Sequence, residues 1–202
     1  VEIDKEVYDE FYGDYCDNIE LHNLNFYDFN LDGVNLGDVS DISIIGNPPY
    51  RTPALSLKEK KSEISYLKEK YSIGGIKEES IFFIINTFDI VSELNKEVNI
   101  HYILPKTIFQ NPTKAFKTFY EFLNKNLNIV SVEDIDSDCF EDVSQKLVLV
   151  HFSNTIKTKQ IRYNGEILER DDFLGSNENI IPYNKIFKKT YLGSVPAESF
   201  LF

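Results

Sequence analysis

Short apolar runs alternate with helical patterns from residue 1 to residue 153, and this alternation is the feature that most constrains the fold. It predicts strands at Val1–Ile3, Ile19–Asn25, Ile42–Gly46, Val98–Leu104, Ile129–Asp134 and Lys146–Phe152. It predicts helices between them, at Lys5–Tyr12, Leu55–Tyr71, Glu79–Leu94 and Thr113–Asn126. Alternating strands and helices are typical of an α/β sheet with crossover helices. We therefore predict an α/β fold with helices on both faces of the sheet.

The sequence changes character after Ser153. The segment KQIRYNGEILER alternates polar and apolar residues around Asn164-Gly165, which is a strong signal for a two-residue hairpin turn. The remainder is short, mixed and without a clear period. We predict that residues 1–153 form one domain and that residues 154–202 form a hairpin and the start of a second module.

Composition favours a soluble, cytoplasmic protein without membrane contact. Hydrophobic residues make up 42% of the 202 residues, yet no run of about 18 apolar residues occurs. The N-terminus, VEIDKEVYDEF, is acidic where a signal peptide would be basic. Cys16 and Cys139 are too few for a disulfide framework or a zinc site. The three histidines lie in apolar strand contexts, so we expect packed or edge residues and no metal site.

The formal net charge of −12 argues against simple binding to nucleic acid, because affinity for phosphates comes largely from clustered Lys and Arg. The distribution of charge matters more than the total. Lys5 is the only Lys or Arg before residue 47, whereas the segments 51–77 and 106–125 are richer in lysine. Two interpretations stay open: a molecule with an acidic flank and a cationic rim, or lysines that are ordinary solvated side chains.

The stretch IIGNPPY, residues 44–50, places an amide, two prolines and an aromatic directly after a buried strand. Prolines give a fixed backbone that lacks N–H donors. Asn47 can then direct its side-chain oxygen away from the strand, and Tyr50 can offer a flat ring to the same object. The stretch predicts a site for a flat polar ligand.

The order of VEID, NFYDF, GNPPY, ILPKTIF and CFEDVSQKLVLVHF over residues 1–153 resembles that of N6-adenine DNA methyltransferases associated with restriction–modification systems. The tetrapeptide NPPY is the specific part of the resemblance. It implies a Rossmann-like class I fold that uses S-adenosyl-L-methionine, with a mostly parallel sheet and an antiparallel last strand. It also implies double-stranded DNA with a flipped adenine as substrate, and a restriction endonuclease as a partner or a fused domain.

The resemblance assigns the catalytic chemistry to Asn47, Pro48 and Tyr50. The N6 amine of adenine is a poor nucleophile because its lone pair is delocalised into the ring. Two acceptors at its hydrogens, the Asn47 side-chain oxygen and the Pro48 carbonyl, would free the lone pair for attack. Pro49 would keep the loop rigid beside the base, and Tyr50 would stack on it. The competing interpretation is an Asx-type turn before a proline-stiffened corner.

Other site residues follow from the resemblance, each with a plainer alternative. Glu2 would bind the cofactor's ribose, or be one more solvated acid. Asp28 would contact the cofactor's adenine, or only form a turn. Phe140 would touch the extruded base, or pack in the core. Lys106 would meet a phosphate, or only water. Asn47 also belongs to the expected cofactor pocket.

The sequence departs from the resembled family in two places. The glycine-rich loop that cradles the methionine part of the cofactor should precede Val1, and Glu79 and Ser80 replace an expected Asp-Leu pair. Since methionine is also lacking, we expect a fragment that carries the target-base half of the site. Two alternatives stay open: methylation of RNA adenine or protein glutamine, and a methyltransferase-like subunit without catalytic activity.

Overall fold

The computed structural model describes residues 5, 6, 9, 22–32, 34, 36–50, 60–136 and 145–175. Six strands are formed: β1 (Asp41–Gly46), β2 (Glu97–Pro105), β3 (Asn128–Asp134), β4 (Leu147–Ser153), β5 (Gln160–Tyr163) and β6 (Glu166–Glu169). Five α-helices are formed: α1 (Lys61–Tyr71), α2 (Glu79–Val91), α3 (Thr107–Gln110), α4 (Lys114–Asn126) and α5 (Arg170–Phe173). A 3₁₀ turn covers Phe26–Asp28.

The strands form one six-stranded sheet in the order β1-β2-β4-β3-β5-β6. β1 pairs with β2 in parallel and β3 with β5 in parallel, whereas β4 is antiparallel to both β2 and β3. β6 is antiparallel to β5. Four strands therefore point the same way, and β4, the last strand of the predicted domain, is reversed as predicted from the resemblance.

One face of the sheet carries the core. β2 buries Val98, Ile100 and Tyr102 on this face, where their neighbours on β4 are also buried. Helix α2 is apolar nearly all round, and nine of its thirteen residues are buried. Helices α2 and α4 belong to the same hydrophobic cluster as these strands. Periodicity predicted these elements because burial on one side of each follows its own period.

The opposite face of the sheet differs from the prediction of helices on both faces. Ile45 on β1 is 82% exposed and Ile167 on β6 is 67% exposed. Leu149 on β4 is exposed as well. Across the parts of the chain that the structure describes, the helices pack on the core face, and this second face remains open.

Several predicted boundaries are confirmed and some change. The hairpin turn lies at Asn164-Gly165, where both residues have positive φ, as a tight turn between antiparallel strands requires. The strand predicted at Ile19–Asn25 is not formed over residues 22–25, which contain only an isolated bridge at Asn23. The strand at Val1–Ile3 and most of the helix Lys5–Tyr12 lie outside the described residues.

Gly46, the last residue of β1, allows the close approach of an aromatic ring. A Cβ atom at this position would come within 2.7 Å of Cε1 of Tyr102, the residue paired with it on β2. The Tyr102 hydroxyl is fixed in turn by Thr87 of α2, with 2.6 Å between the two oxygens. The strand therefore ends against a ring that is held from below, and the chain turns from there into the loop 47–50.

No helix within the described residues is long and apolar enough to cross a membrane.

Candidate functional site

The loop Asn47–Tyr50 lies at the carboxyl edge of the sheet. β1, β2, β3 and β5 point the same way, so their last residues meet at this edge. In open α/β sheets, ligands bind in the crevice outside the carboxyl ends of the strands. The fold thus places the predicted motif where such sheets hold ligands.

The four loop residues differ in exposure in the way a ligand-facing corner requires. Pro48 is buried, Asn47 and Pro49 are exposed, and Tyr50 is half-buried. The Tyr50 hydroxyl lies against the Asn47 side-chain oxygen Oδ1 and 3.1 Å from the carbonyl oxygen of Ile103 on β2. Burial raises the pKa of Tyr50 to about 12, so the hydroxyl keeps its proton at neutral pH.

A cavity of about 410 Å³ opens beside the loop. Gly46, Asn47 and Pro48 form one side of it, and the remaining walls come from the 3₁₀-turn region, β1 and α2. Its lining is mainly aromatic and aliphatic, with Asn47, Thr87 and Tyr102 as polar-bearing members. This combination of apolar walls and a few polar groups is typical of small-molecule sites.

The 3₁₀ turn Phe26–Asp28 is fixed to helix α2 by aromatic packing. Asn25 caps the turn through its side-chain oxygen, 3.1 Å from the backbone nitrogen of Tyr27. The ring of Phe26 stacks on Phe83 of α2 with 4.6 Å between the centroids. Tyr27 meets the same Phe83 edge to face. The turn that carries Asp28 therefore moves with α2.

Asp28 is exposed and forms an ion pair with Lys60 just before α1, at 2.5 and 2.6 Å. It does not line the cavity beside Asn47. The structure thus gives Asp28 a protein partner, and its contact with a cofactor stays a prediction.

Glu79, the first residue of α2, is a buried acid. It is 1% exposed, and neither carboxylate oxygen has a hydrogen-bond partner. Burial raises its pKa to about 7. The Tyr27 hydroxyl is also buried without a partner, and burial together with the charge of Glu79 raises the pKa of Tyr27. In the sequence, Glu79 stood out only as a departure from the expected Asp-Leu pair.

Lys106 follows β2 at the carboxyl edge, but it faces neither a phosphate nor water. It is 3% exposed and pairs with Asp134, the last residue of β3, at 2.9 Å. Its ammonium also contacts the Tyr163 hydroxyl at the end of β5, and that hydroxyl donates to Asp134 at 2.5 Å. The Asn164 side-chain nitrogen donates to the same carboxylate at 2.8 Å. Burial alone would raise the pKa of Asp134, but these three partners outweigh it and lower the value.

Sequence reasoning missed this cluster of Lys106, Asp134, Tyr163 and Asn164. Its members come from three chain segments, and only the strand order brings them together. The Asn-Gly turn was the one available signal, because it locates the end of β5.

The histidines of β2 and β4 pack against each other. His101 and His151 occupy paired positions and stack with 4.3 Å between ring centroids. His151 Nε2 lies 2.8 Å from the Asn99 side-chain oxygen. Burial, and then the neighbouring His101, lower the pKa of His151. No group of three His, Cys, Asp or Glu within the described ranges is arranged to hold a metal ion.

Two predicted site residues, Glu2 and Phe140, lie outside the described residues. Of the other predicted positions, the structure brings Asn47, Pro48 and Tyr50 together at one edge and holds Asp28 on the neighbouring 3₁₀ turn.

No protein-family model and no curated protein sequence matches this chain. Solved structures do match it. The methyltransferase subunit of a type I restriction–modification system from Streptococcus thermophilus superposes with a TM-score of 0.55 at 15% identity. That match covers 80% of this chain and 34% of the other.

A structure described as the modification subunit of a type I restriction enzyme from Vibrio vulnificus matches with a TM-score of 0.50 at 17% identity. It covers 69% of this chain and 28% of that one. The type IIG restriction endonuclease BpuSI matches with a TM-score of 0.50 at 19% identity, over 69% of this chain and 16% of that one.

The chain has the class I methyltransferase fold. This confirms the Rossmann-like α/β class predicted from the sequence, including the reversed strand β4. The chain spans about a third or less of the length of the three structures described here, so it corresponds to one part of each of them.

Proposed function

We propose that this chain is part of a site-specific DNA methyltransferase that modifies the N6 atom of adenine within a restriction–modification system. The observation that carries the proposal is the position of Asn47–Tyr50. The loop follows a strand of a methyltransferase-type sheet and borders an apolar cavity. The solved structures that share the fold are described as parts of restriction–modification systems, which supports the biological setting.

The loop supplies two oxygen acceptors for one amino group. The Pro48 carbonyl and the Asn47 side-chain oxygen would each accept one N6 hydrogen, which draws the nitrogen lone pair out of conjugation. Pro48 is buried, and its ring and that of Pro49 fix the backbone, so the acceptors are positioned before the substrate arrives. Acceptors placed in advance stabilise the charge that develops on the attacking amine.

Tyr50 would set which end of the Asn47 amide faces the substrate. Its hydroxyl has one proton but lies beside two acceptors, Asn47 Oδ1 and the Ile103 carbonyl. The two ends of an amide are interchangeable in shape, so turning the amide over removes the conflict. The Asn47 nitrogen then donates to the Tyr50 oxygen, and Tyr50 donates to Ile103. This relay leaves Oδ1 of Asn47 outward, where the proposed chemistry needs an acceptor.

An adenine inside a duplex cannot reach this loop, so the base must rotate out at a cost of a few kcal/mol. Stacking on the Tyr50 ring would recover part of that free energy, beside Pro49. Phe140 is proposed as a second aromatic wall. The neighbouring solvent-exposed position of Asn47 leaves room for a base to approach.

S-adenosylmethionine is the implied cofactor, and when bound it supplies the methyl group. The cavity residues fit such a group, because Phe26, Phe29 and Phe83 give aromatic walls and Asn47 gives a polar edge. Glu2, Asp28 and Asn47 are proposed to hold it. Asp28 would have to exchange the Lys60 ammonium for a donor on the cofactor.

The further elements of the system are proposals for the whole protein. Double-stranded DNA is the proposed substrate, residues 154–202 are proposed as the start of a target-recognition module, and a restriction endonuclease is proposed as a partner or fused domain.

A tritium-transfer assay tests the function. The protein that contains this sequence should transfer labelled methyl from S-adenosylmethionine to duplex DNA but not to tRNA or a protein release factor. Asn47→Ala should lower transfer at least about 10²-fold, as loss of a positioned polar group does elsewhere. Asn95→Ala, a change at an exposed asparagine, is the matched control. Transfer to tRNA or release factor, or full activity of Asn47→Ala, would contradict the proposal.

Tyr50→Phe tests the relay separately, because it keeps the ring for stacking and removes only the hydroxyl. We expect kcat to fall about tenfold, with KM for DNA nearly unchanged, because the amide orientation is lost while base stacking remains. Equal effects of Tyr50→Phe and Tyr50→Ala on KM would contradict the relay.

A further inference from the structure

Arg170 is a buried cation whose partners are all neutral. It is 8% exposed and begins helix α5. One guanidinium nitrogen donates to the Asn124 side-chain oxygen at 2.8 Å. The other donates to Asn128 at 2.7 Å and contacts the carbonyl oxygen of Thr158. No carboxylate pairs with Arg170 among the described residues, so its positive charge is not neutralised locally.

Two donors beside this charge also lack partners. Arg170 Nε and the Asn128 side-chain nitrogen are both buried without a hydrogen bond. Asn128 is 2% exposed, and its oxygen is already used by Arg170, so its amide orientation is fixed with the nitrogen unsatisfied. An unpaired buried donor costs about 1–3 kcal/mol, and more beside a charge. Two of them next to an uncompensated cation indicate a missing acceptor that is negatively charged.

A cavity of about 490 Å³ adjoins these groups. Asn128 and Arg170 line it, together with Lys157 and Lys159 on the segment that leads into β5. Both lysines are exposed. Glu169 and Asp171 also line the cavity, so its charged members are three cations and two anions. The Glu169 carboxylate already accepts from Gln160 at 3.0 Å.

The cavity is distinct from the loop Asn47–Tyr50. Asn128 is the first residue of β3, and Lys159 directly precedes β5. Both strands run parallel to β1, so this cavity lies at the amino edge of the sheet, whereas Asn47 lies at the carboxyl edge. A ligand here would not take part in the proposed methyl transfer.

We propose that this amino-edge cavity binds a phosphate-type oxyanion. The two lysines would attract the anion as point charges, and the Arg170 Nε and Asn128 nitrogens would bind its oxygens after a small shift, because neither nitrogen reaches the surface. The phosphate group is either free or part of a nucleic-acid backbone. Both sources offer the same tetrahedral, charged acceptor.

The test uses the ¹⁵N-labelled chain and the Arg170 Nε–H resonance. Titration with inorganic phosphate should shift this resonance to saturation, whereas sodium chloride at matched ionic strength should not. Lys157→Ala/Lys159→Ala should weaken phosphate binding about tenfold, because two charges beside the anion are lost. Lys77→Ala/Lys114→Ala removes two exposed charges elsewhere and should leave binding unchanged.

A second titration with a short DNA duplex identifies the source of the phosphate. A shift of the same resonance at lower concentration than with inorganic phosphate assigns the site to a nucleic-acid backbone. A shift only with inorganic phosphate assigns it to the free ion. No saturable shift with either, or equal weakening by the two double variants, would overturn the proposal. None of these outcomes depends on methyl transfer.

Discussion

Lys106 and Arg170 are both buried cations, but they lie at opposite edges of the sheet and are compensated differently. Lys106 is 3% exposed and has the carboxylate of Asp134 and a phenol hydroxyl as partners. Arg170 is 8% exposed and has only amide and carbonyl oxygens. A buried charge is tolerated when a counter-charge and hydrogen bonds accompany it. The comparison teaches that the carboxyl-edge cluster is complete within the chain, whereas the amino-edge cavity lacks a negative group.

Glu79 extends the comparison to an anion, and it gives the largest expected effect. Its pKa is about 7 in the folded chain and near 4.5 without burial, so the folded state holds the proton more tightly. Stability should therefore be highest below about pH 4.5 and fall as the pH rises to about 7. The loss from this group is about 3 kcal/mol.

Glu79→Gln should flatten that part of the pH dependence, because the amide does not titrate. Urea unfolding of both proteins between pH 4.5 and 8 measures the difference in the free energy of unfolding. Parallel curves for the two proteins would show that Glu79 is compensated by some other group. The exposed Glu93→Gln is the matched control.

Asp134→Ala should break the complete cluster. It leaves the Lys106 ammonium buried without a carboxylate, and we expect a loss of about 2 kcal/mol in the free energy of unfolding. This lies below the 3–5 kcal/mol typical of fully buried pairs, because Asp134 is 41% exposed and water can reach the site. Chemical denaturation at pH 7 measures it, with the exposed Asp136→Ala as control. Similar losses for both variants would refute the role of the ion pair.

Tyr163→Phe should have the smallest effect of the three. It removes the hydroxyl that bonds Lys106 and Asp134 but keeps the ring, whose centroid lies 4.6 Å from the ammonium. We expect a loss of about 1 kcal/mol, the usual net value of one hydrogen bond. A loss as large as that of Asp134→Ala would mean that the hydroxyl, and not the carboxylate, compensates Lys106.

Local patterns made much of the fold predictable. The strand ending at Gly46, the buried helix α2 and the Asn164-Gly165 turn each depend on residues within one short segment. The loop Asn47–Tyr50 was also located from the sequence, because proline geometry and strand ends are local features.

The contacts that give each charge its partner were not predictable in the same way. Lys106 meets Asp134 only because β4 lies between β2 and β3, and Asp28 meets Lys60 across a long loop. The Tyr50 contact with Ile103 likewise depends on the pairing of β1 with β2. Pairing of distant segments is set by the whole sheet, and a sequence pattern carries little information about it.

The most direct test of the central claim is to identify the methylated base. Duplex DNA incubated with S-adenosylmethionine and the protein that contains this sequence would be digested to nucleosides and analysed by mass spectrometry. We predict N6-methyladenine as the product, and its loss when Asn47 is replaced by Ala. Methylcytosine as the product, or unchanged N6-methyladenine from Asn47→Ala, would contradict the account.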